Sequence, residues 1–408
     1  MTRQDVHYEF DHHTTEFAEN PWRIYRELRE TCPVAHSTAY EDGFWVLTSY
    51  SDVRRCTVDT ETFSSDGGDL LIPSENPGRL LPVQADPPMA TAYRRLINPL
   101  FTVSAVRAME PAIRRHVDDT IDEFIERGTA DLVTDLALPV PGLVTMNLVG
   151  WPERDWPEVV EPIRAFSTHR VGEPERAAAG QRLAALRGRV SEDIRRRRQA
   201  PGDDLVTRLL AATVDGRPLD EDEIVDITMM VLFGGVDTTV AAIGNMALYL
   251  DSDRDLRARL SAHPELVPAA VDELLRYEAP VQGFARFVRA DTEIGGERIR
   301  RGEKVLLAWA SANRDPEAFP DPDTVRLDRS PNPHLSFGIG PHRCIGATLA
   351  KAELAIVLRR LLERMPDYTV DRARVRPTVS CGTTFARATV PVRFTPGSRL
   401  RAKGGDQE

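Results

Sequence analysis

The run DEDEIVDITMMVLFGGVDTTVAAIGNMALYL, Asp220–Leu250, constrains the fold most. It reads as one long helix that is apolar on nearly every side, and such a helix has to be buried. Its centre is odd. Gly234 and Gly235 fall mid-helix, each costing about 1 kcal/mol against alanine. Asp237, Thr238 and Thr239 follow at once in an apolar setting, where polar groups need partners. Two readings are open. The glycines allow a close helix crossing, with the threonines bonded back to their own helix; or the helix opens there beside a bound small molecule.

Around this segment the chain is mostly helical from Asp86 to about Leu250, after a helix near Pro21–Glu30 and a strand-like Phe44–Tyr50. SAVRAMEPAIRRHVDDTIDEFIERG stops at Gly128, a C-terminal glycine signal, and another helix spans about Pro174–Arg198. After Asp291 the texture changes. Two short strands flank Gly295-Gly296, a hairpin signal. Lys304–Ala310 is a further strand candidate, and Asn313–Pro333 is proline-rich and irregular. A helix from about Ile345 to Arg364 carries an apolar face of Ala350, Leu354, Val357, Leu358, Leu361 and Leu362. Alternating Thr389–Phe394 closes the chain as a strand. No repeat and no Gly/Ser-rich linker divides these parts. The expectation is a single domain over residues 1–408, mainly α with small antiparallel β-sheets.

A formal net charge of −11 argues against general binding to nucleic acid or anionic membranes. No uninterrupted apolar run reaches the roughly 18 residues of a membrane span, and the start lacks a signal-peptide pattern. The four cysteines, Cys32, Cys56, Cys344 and Cys381, include no C-x-x-C pair, which suits a reduced, cytoplasmic setting. Cys32, Cys56 and Cys381 read as small core or loop hydrophobes.

Cys344 is different. It sits in HLSFGIGPHRCIG (334–346), just before a helix. Outward N–H groups at a helix start favour a thiolate. Gly338, Gly340 and Gly346 let the backbone turn tightly and approach a flat partner. A single metal ligand fits this arrangement. Zinc would find only His334 and His342 nearby, an incomplete set. A nucleophilic cysteine could use His342 as its base, and a purely structural bend is a further reading.

FGIGPHRCIG resembles the haem-binding signature of the cytochrome P-450 family, F-x-x-G-x-x-x-C-x-G, with Phe337, Gly340, Cys344 and Gly346 in place. The resemblance makes Cys344 the axial thiolate on haem iron, in a loop shared with Gly338. GGVDTT (234–239) resembles the same family's oxygen-binding motif, [AG]-G-x-[DE]-T-[TS]. It implies that Gly235 lies against the cofactor and that Asp237 and Thr238 form an acid–alcohol pair. Thr238 would hold O2 and an ordered water, and Asp237 would pass protons in from solvent, general-acid work by relay. Glu273 and Arg276 in DELLR match the family's E-x-x-R pair, which fixes the loop before the cysteine; Arg326 or a near neighbour would be the third partner. The fold implied is that of cytochrome P-450, with haem between the long central helix and the helix after the cysteine loop.

Haem propionates need cations, and position implies Arg94, Arg286 and His342. DPPMATAYRR departs from the family pattern: Ala90 replaces a polar residue, and a water or Tyr93 is the expected substitute. No G-x-G-x-x-G after a strand and no flavin or iron–sulfur cysteine set is present, so NAD(P)H-derived electrons would come through a ferredoxin or flavodoxin with its reductase. Such carriers are acidic, so a basic patch on the cysteine face is expected; Arg195–Arg198 reads instead as a solvated helix end. Met230, Phe233, Gly234, Val281 and Phe284 would line the substrate pocket, closed by the loop Leu70–Leu81 and the turn near Thr383–Phe385. The implied activity is O2-dependent monooxygenation of a small apolar or semi-polar molecule. Phenol coupling, peroxide-driven oxidation, rearrangement, or a haem sensor without catalysis are the alternatives.

Overall fold

The computed structural model describes residues 9–40, 43–66, 70–73, 78–378, 382 and 384–401. Cys381, Thr383 and positions 74–77 of the expected closing loop lie outside the described residues.

The helices that build the site are, in chain order, α1 (Met89–Ile97), α2 (Val103–Asp122), α3 (Pro139–Val149), α4 (Trp156–Thr168), α5 (Pro174–Gln199), α6 (Glu221–Ser252), α7 (Val267–Tyr277) and α8 (Ala347–Arg364). α6 is the long apolar segment. Asp220 caps it: its side chain accepts from the Glu223 amide while the Glu223 side chain reaches back, and Glu221–Glu223 supply negative charge at the positive end of the helix dipole. By length and composition α6 is the one described helix that could cross a membrane, but most of it is spent in the core, against α3, α4, α5 and α8.

No opening interrupts α6 at Gly234–Thr239; the helix is continuous there, contrary to the cofactor-opening reading. A Cβ at Gly235 would meet the Thr145 hydroxyl of α3 at 2.7 Å. Gly235 is therefore where two helices cross closely, and that crossing explains at least this glycine. α8 starts at Ala347, two residues later than its apolar pattern suggests, because the cysteine bend runs through Gly346. α2 stops at Asp122; a 3₁₀ turn, Ile125–Arg127, carries the chain on to Gly128, whose φ of 68° provides the left-handed stop.

Five strands form the largest sheet: β1 (Val34–Ser37), β2 (Phe44–Leu47), β3 (Phe63–Ser64), β4 (Phe284–Val288) and β5 (Lys304–Leu307), in the order β1-β2-β5-β4-β3. Its pairs are antiparallel except one. β2 and β5 run parallel, Val305 opposite Trp45, so the sheet is mixed and joins the two ends of the chain. Three expected strands are shorter. Phe44–Tyr50 ends at Leu47, because Ser49 caps a helix that begins at Tyr50. Lys304–Ala310 ends at Leu307, and Trp309–Ala312 turns helical, Ala-Ser-Ala favouring helix over strand once the Trp309 indole reaches Thr57. Thr389–Phe394 divides into Arg387–Thr389 and Pro391–Arg393, which pair with different neighbours. The Gly295-Gly296 hairpin forms as expected, both glycines at positive φ.

The arginine run at 195–198 is mostly spent locally: Arg196 on Asp193, Arg197 on Asp204 and Arg198 on Glu221. Cys56 is buried, and Cys32 is half-buried with its Sγ donating to the Val34 carbonyl at 3.3 Å.

Gly235→Val forces α3 from α6 and lowers stability by about 1–3 kcal/mol, the usual cost of overpacking. Thr145→Ala in the same chain recovers part of it. Thermal denaturation checks both, and an unchanged midpoint for the single variant would dismiss the close crossing.

Candidate active site

The cysteine loop is built by its own backbone. Gly338 and Gly340 take φ of 59° and 66°, the left-handed region where only glycine is unstrained. The Gly338 amide donates to the Leu335 carbonyl at 2.8 Å, and the Cys344 amide donates to the Phe337 carbonyl at 2.7 Å. These bonds close the bend that presents the sulfur. Cys344 is exposed, yet protein surrounds it: its open side is the cavity. Burial pushes the thiol up, opposed by the Gly346 amide and the Arg94 and Arg343 charges. The helix start does not by itself make a thiolate here, because Cys344 precedes the Gly346 cap by two residues.

A polar network fixes that loop to α7. Arg276 and Glu273 form a fully buried pair at 2.8 Å. Burial alone would raise the Glu273 carboxyl; the Arg276 guanidinium overrides it and holds Glu273 below its usual range. Arg276 also donates to the carbonyls of Asn313, Pro322 and Thr324. The third charge is Arg329, whose Nε lies 3.0 Å from Glu273. Arg326, the expected partner, contributes only its backbone amide and turns its side chain to Asp321 and Asp328. Asn313 completes the link: its side chain accepts from the Leu335 amide at 2.6 Å and donates to Ser336 Oγ, which donates to the Leu275 carbonyl of α7. His334 pairs with Asp272 rather than standing free as a ligand, and among the described residues no cluster could hold zinc.

Beside the sulfur lies a cavity of about 300 Å³. Its walls include Arg94, Arg286 and His342, the three expected cations. Arg286 is fully buried, with Nε lacking any partner and Nη1 donating to the Ala285 carbonyl. Burial lowers it to about 10, and among the described residues the one anion acting on it is Asp86, already engaged by Ser64, Ser65 and Arg289. His342 Nε2 is buried without a partner, and burial together with Arg286 pushes the ring down to about 4. A buried cation with so little compensation is expensive. A bound dianion would satisfy both residues. Arg94 reaches the Arg343 carbonyl at 2.6 Å and borders the same space. Tyr93 does not replace the missing polar side chain at Ala90, because its hydroxyl is committed to Glu223 at 2.6 Å.

α6 forms the opposite wall. Gly234 is exposed to the cavity in mid-helix, and Gly235, Met230, Phe233 and Thr238 border it with Val281 and Phe284 from the segment after α7. Thr238 Oγ donates back to the Gly234 carbonyl at 3.2 Å, as the bonded-back reading expects. Asp237 is buried, so it does not meet solvent directly. Arg164 Nη1 lies 3.4 Å away, and burial raises the carboxyl despite that charge. Arg164 also donates to the Arg387 carbonyl at 2.6 Å, and its side chain is itself mostly buried. Phe337 and Gly346 flank the sulfur side, with Phe337 bordering the cavity.

Asn313 and Arg164 escaped the sequence reading, which reached Arg329 only as a near neighbour of Arg326. Each is an ordinary polar residue whose role depends on a distant partner, and none lies in a periodic or spaced motif. Glu353 also escaped it: this acid of α8 borders the cavity, and burial alone pushes it up to about 8.

Glu273→Gln leaves Arg276 and Arg329 facing a neutral amide. The expected loss is about 3–5 kcal/mol, that of a broken buried pair. Chemical denaturation measures it, and a loss below 1 kcal/mol, roughly that of a surface pair, would contradict the buried-network account.

A family model described as Cytochrome P450 matches residues 250–366. Cytochrome P450 130 of Mycobacterium tuberculosis is 33% identical over 402 residues, covering 95% of this chain and 98% of that protein. The steroid C26-monooxygenase of Mycolicibacterium smegmatis is 34% identical, covering 93% and 94%. Among solved structures, CYP109E1 of Bacillus megaterium in complex with testosterone has a TM-score of 0.84 at 31% identity, covering 94% of this chain and 100% of that one.

Proposed function

The chain belongs to the cytochrome P450 family and is an enzyme of its monooxygenase class, and from that premise we propose that it oxidises a small apolar or semi-polar organic molecule inside the cavity beside Cys344. The observation that carries this reading is the pairing of one thiol with a buried, poorly compensated Arg286 and a partnerless His342 on one cavity. Haem b has the chemistry those groups need: an iron for the sulfur and two carboxylates for the cations. Cys344 would hold the iron, and Arg286, His342 and Arg94 the propionates, with Phe337, Gly338 and Gly346 shaping the loop against the ring and Gly235 setting the spacing of the opposite wall. When bound, haem supplies the redox-active iron at which O2 is reduced, and a thiolate ligand favours O–O cleavage.

The rest is the work of side chains. The Thr238 hydroxyl sits on the cavity wall with only a weak bond to its own helix, so it can turn to hold an ordered water. Asp237, raised by burial, is suited to give up and regain a proton. A proton route past Arg164 would need that side chain to swing or admit water. The predominantly apolar wall, with Met230, Phe233, Val281 and Phe284, favours an apolar substrate and excludes bulk water. The relatives' names point the same way: one is a steroid monooxygenase and another, from Micromonospora griseorubida, a mycinamicin IV hydroxylase/epoxidase. Electrons would come from NAD(P)H through a ferredoxin or flavodoxin and its reductase. We place the enzyme in the cytoplasm, as one domain spanning residues 1–408.

The reduced carbon-monoxide spectrum tests the ligand. The wild-type holoprotein absorbs near about 450 nm, the mark of thiolate ligation, and Cys344→Ala abolishes that band. A variant retaining it would remove Cys344 from the iron. Thr238→Ala tests the relay: once a substrate is found by spectral screening, product per NADPH falls about 10-fold and peroxide rises, within the range of general-acid effects. Unchanged coupling would take Thr238 out of proton delivery.

A further inference from the structure

Two segments close the cavity from the side of the chain's beginning. One is Leu70–Ile72, whose Leu70 and Leu71 border the cavity. The other comprises Gly382, Thr384 and Phe385, with Thr384 on the cavity wall and in a bridge with Val281. Each has its own tie. The Ala285 amide donates to the Leu70 carbonyl at 2.8 Å, next to Phe284. The Phe385 amide donates to the Pro280 carbonyl at 2.7 Å, and Asn245 donates to the Phe385 carbonyl.

A pair of adjacent histidines joins the two segments. His12 Nε2 and His13 Nε2 each lie 2.8 Å from the same atom, the Ile72 carbonyl oxygen. Their rings cross at 84° with centroids 4.5 Å apart, which lets consecutive residues converge on one acceptor. Leu71 is thus held between an anchor at Leu70 and a double anchor at Ile72. The other segment packs directly on the same rings: a Cβ at Gly382 would come within 2.4 Å of His13 and 3.0 Å of His12, so only glycine fits.

We propose that His12 and His13 are positioning residues for substrate capture, one dihistidine clamp that sets both segments closing the cavity. The inference rests on reading that cavity as the ligand site.

Each ring must carry hydrogen on Nε2, since a carbonyl only accepts; the neutral Nε2–H tautomer and the imidazolium both can, but the imidazolium's charge would be buried. A second proton on His12 would go to Nδ1, which is buried without a partner. The charged groups around the pair are few. Asp11 favours protonation, but it already accepts from the His13 amide and the Tyr40 hydroxyl. Arg170 and Arg176 oppose charge on His13, and His13 opposes it on His12. Burial is the largest cause of depression in both, taking His12 down to about 3. Both folded-state values therefore lie below the ordinary value of about 6.5, so the clamp is whole above that pH and weakens as pH falls beneath it.

The test uses the haem-loaded enzyme and tert-butyl isocyanide, a bulky iron ligand that does not titrate, with carbon monoxide as the small control. His12→Leu and His13→Leu weaken isocyanide binding about 10-fold, the loss of one hydrogen bond, and leave carbon-monoxide binding unchanged. Amide exchange at Ala285 and Phe385 rises in the same variants. Wild-type isocyanide affinity falls between about pH 7.5 and 5.5, whereas a His12→Gln/His13→Gln double variant, with donors that do not titrate, is flat. The pH comparison stands even where a leucine variant fails to fold. Equal wild-type affinity at both pH values, or folded leucine variants matching wild type in affinity and exchange, overturns the clamp. A missing 450-nm band would instead overturn the haem reading, so the two failures are distinct.

Discussion

The position of one sulfur depends on a buried ion pair that never touches it. Glu273 and Arg276 sit one turn apart on α7 with no solvent between them, and a carboxylate in that place is tolerable only because Arg276, Arg329, Asn332 and a backbone amide converge on it. Arg276 in turn gathers three carbonyls from a stretch with almost no regular structure. Asn313, fixed by that stretch, sets the start of the cysteine loop. Irregular backbone normally belongs at a mobile surface. Here charge and carbonyls replace the sheet or helix that would otherwise hold it, and Cys344 inherits the precision.

The opposite economy governs the cations. Arg286 and His342 are buried and under-satisfied in the protein alone, so they lower the stability of the fold in return for a ready-made site. A dianionic ligand has the chemistry that would relieve that imbalance. Glycines contribute as shape. Gly235 brings α3 against α6, and Gly382 brings a closing segment against two imidazoles.

Much of this was legible in the sequence, for identifiable reasons. The cysteine bend, the mid-helix GGVDTT and DELLR are local motifs, and the structure brings their residues to one cavity or to the loop behind it. Helix faces such as Leu354–Leu362 follow from periodicity. What remained hidden depended on partners far along the chain. Arg326 and Arg329 look alike in RLDR, and only folding decides which side chain meets Glu273. Asp237 resembled a proton gate open to solvent until it proved buried beside Arg164, from α4. Lys304–Ala310 read as one strand because nothing local says that the Trp309 indole must reach Thr57. The parallel pairing of β2 with β5 has no short-range signature at all.

That parallel pair has a temporal consequence. Residues 45–47 can find residues 305–307 only after some 260 intervening positions exist. During synthesis β1 and β2 therefore wait, unpaired on one edge, until residues 304–307 have emerged. Contacts of such separation form slowly, and exposed strand edges invite association in the meantime. The segment from β5 to Cys344 thus completes the sheet and delivers the cysteine in one stage of assembly, so the cavity is unfinished until both have been made.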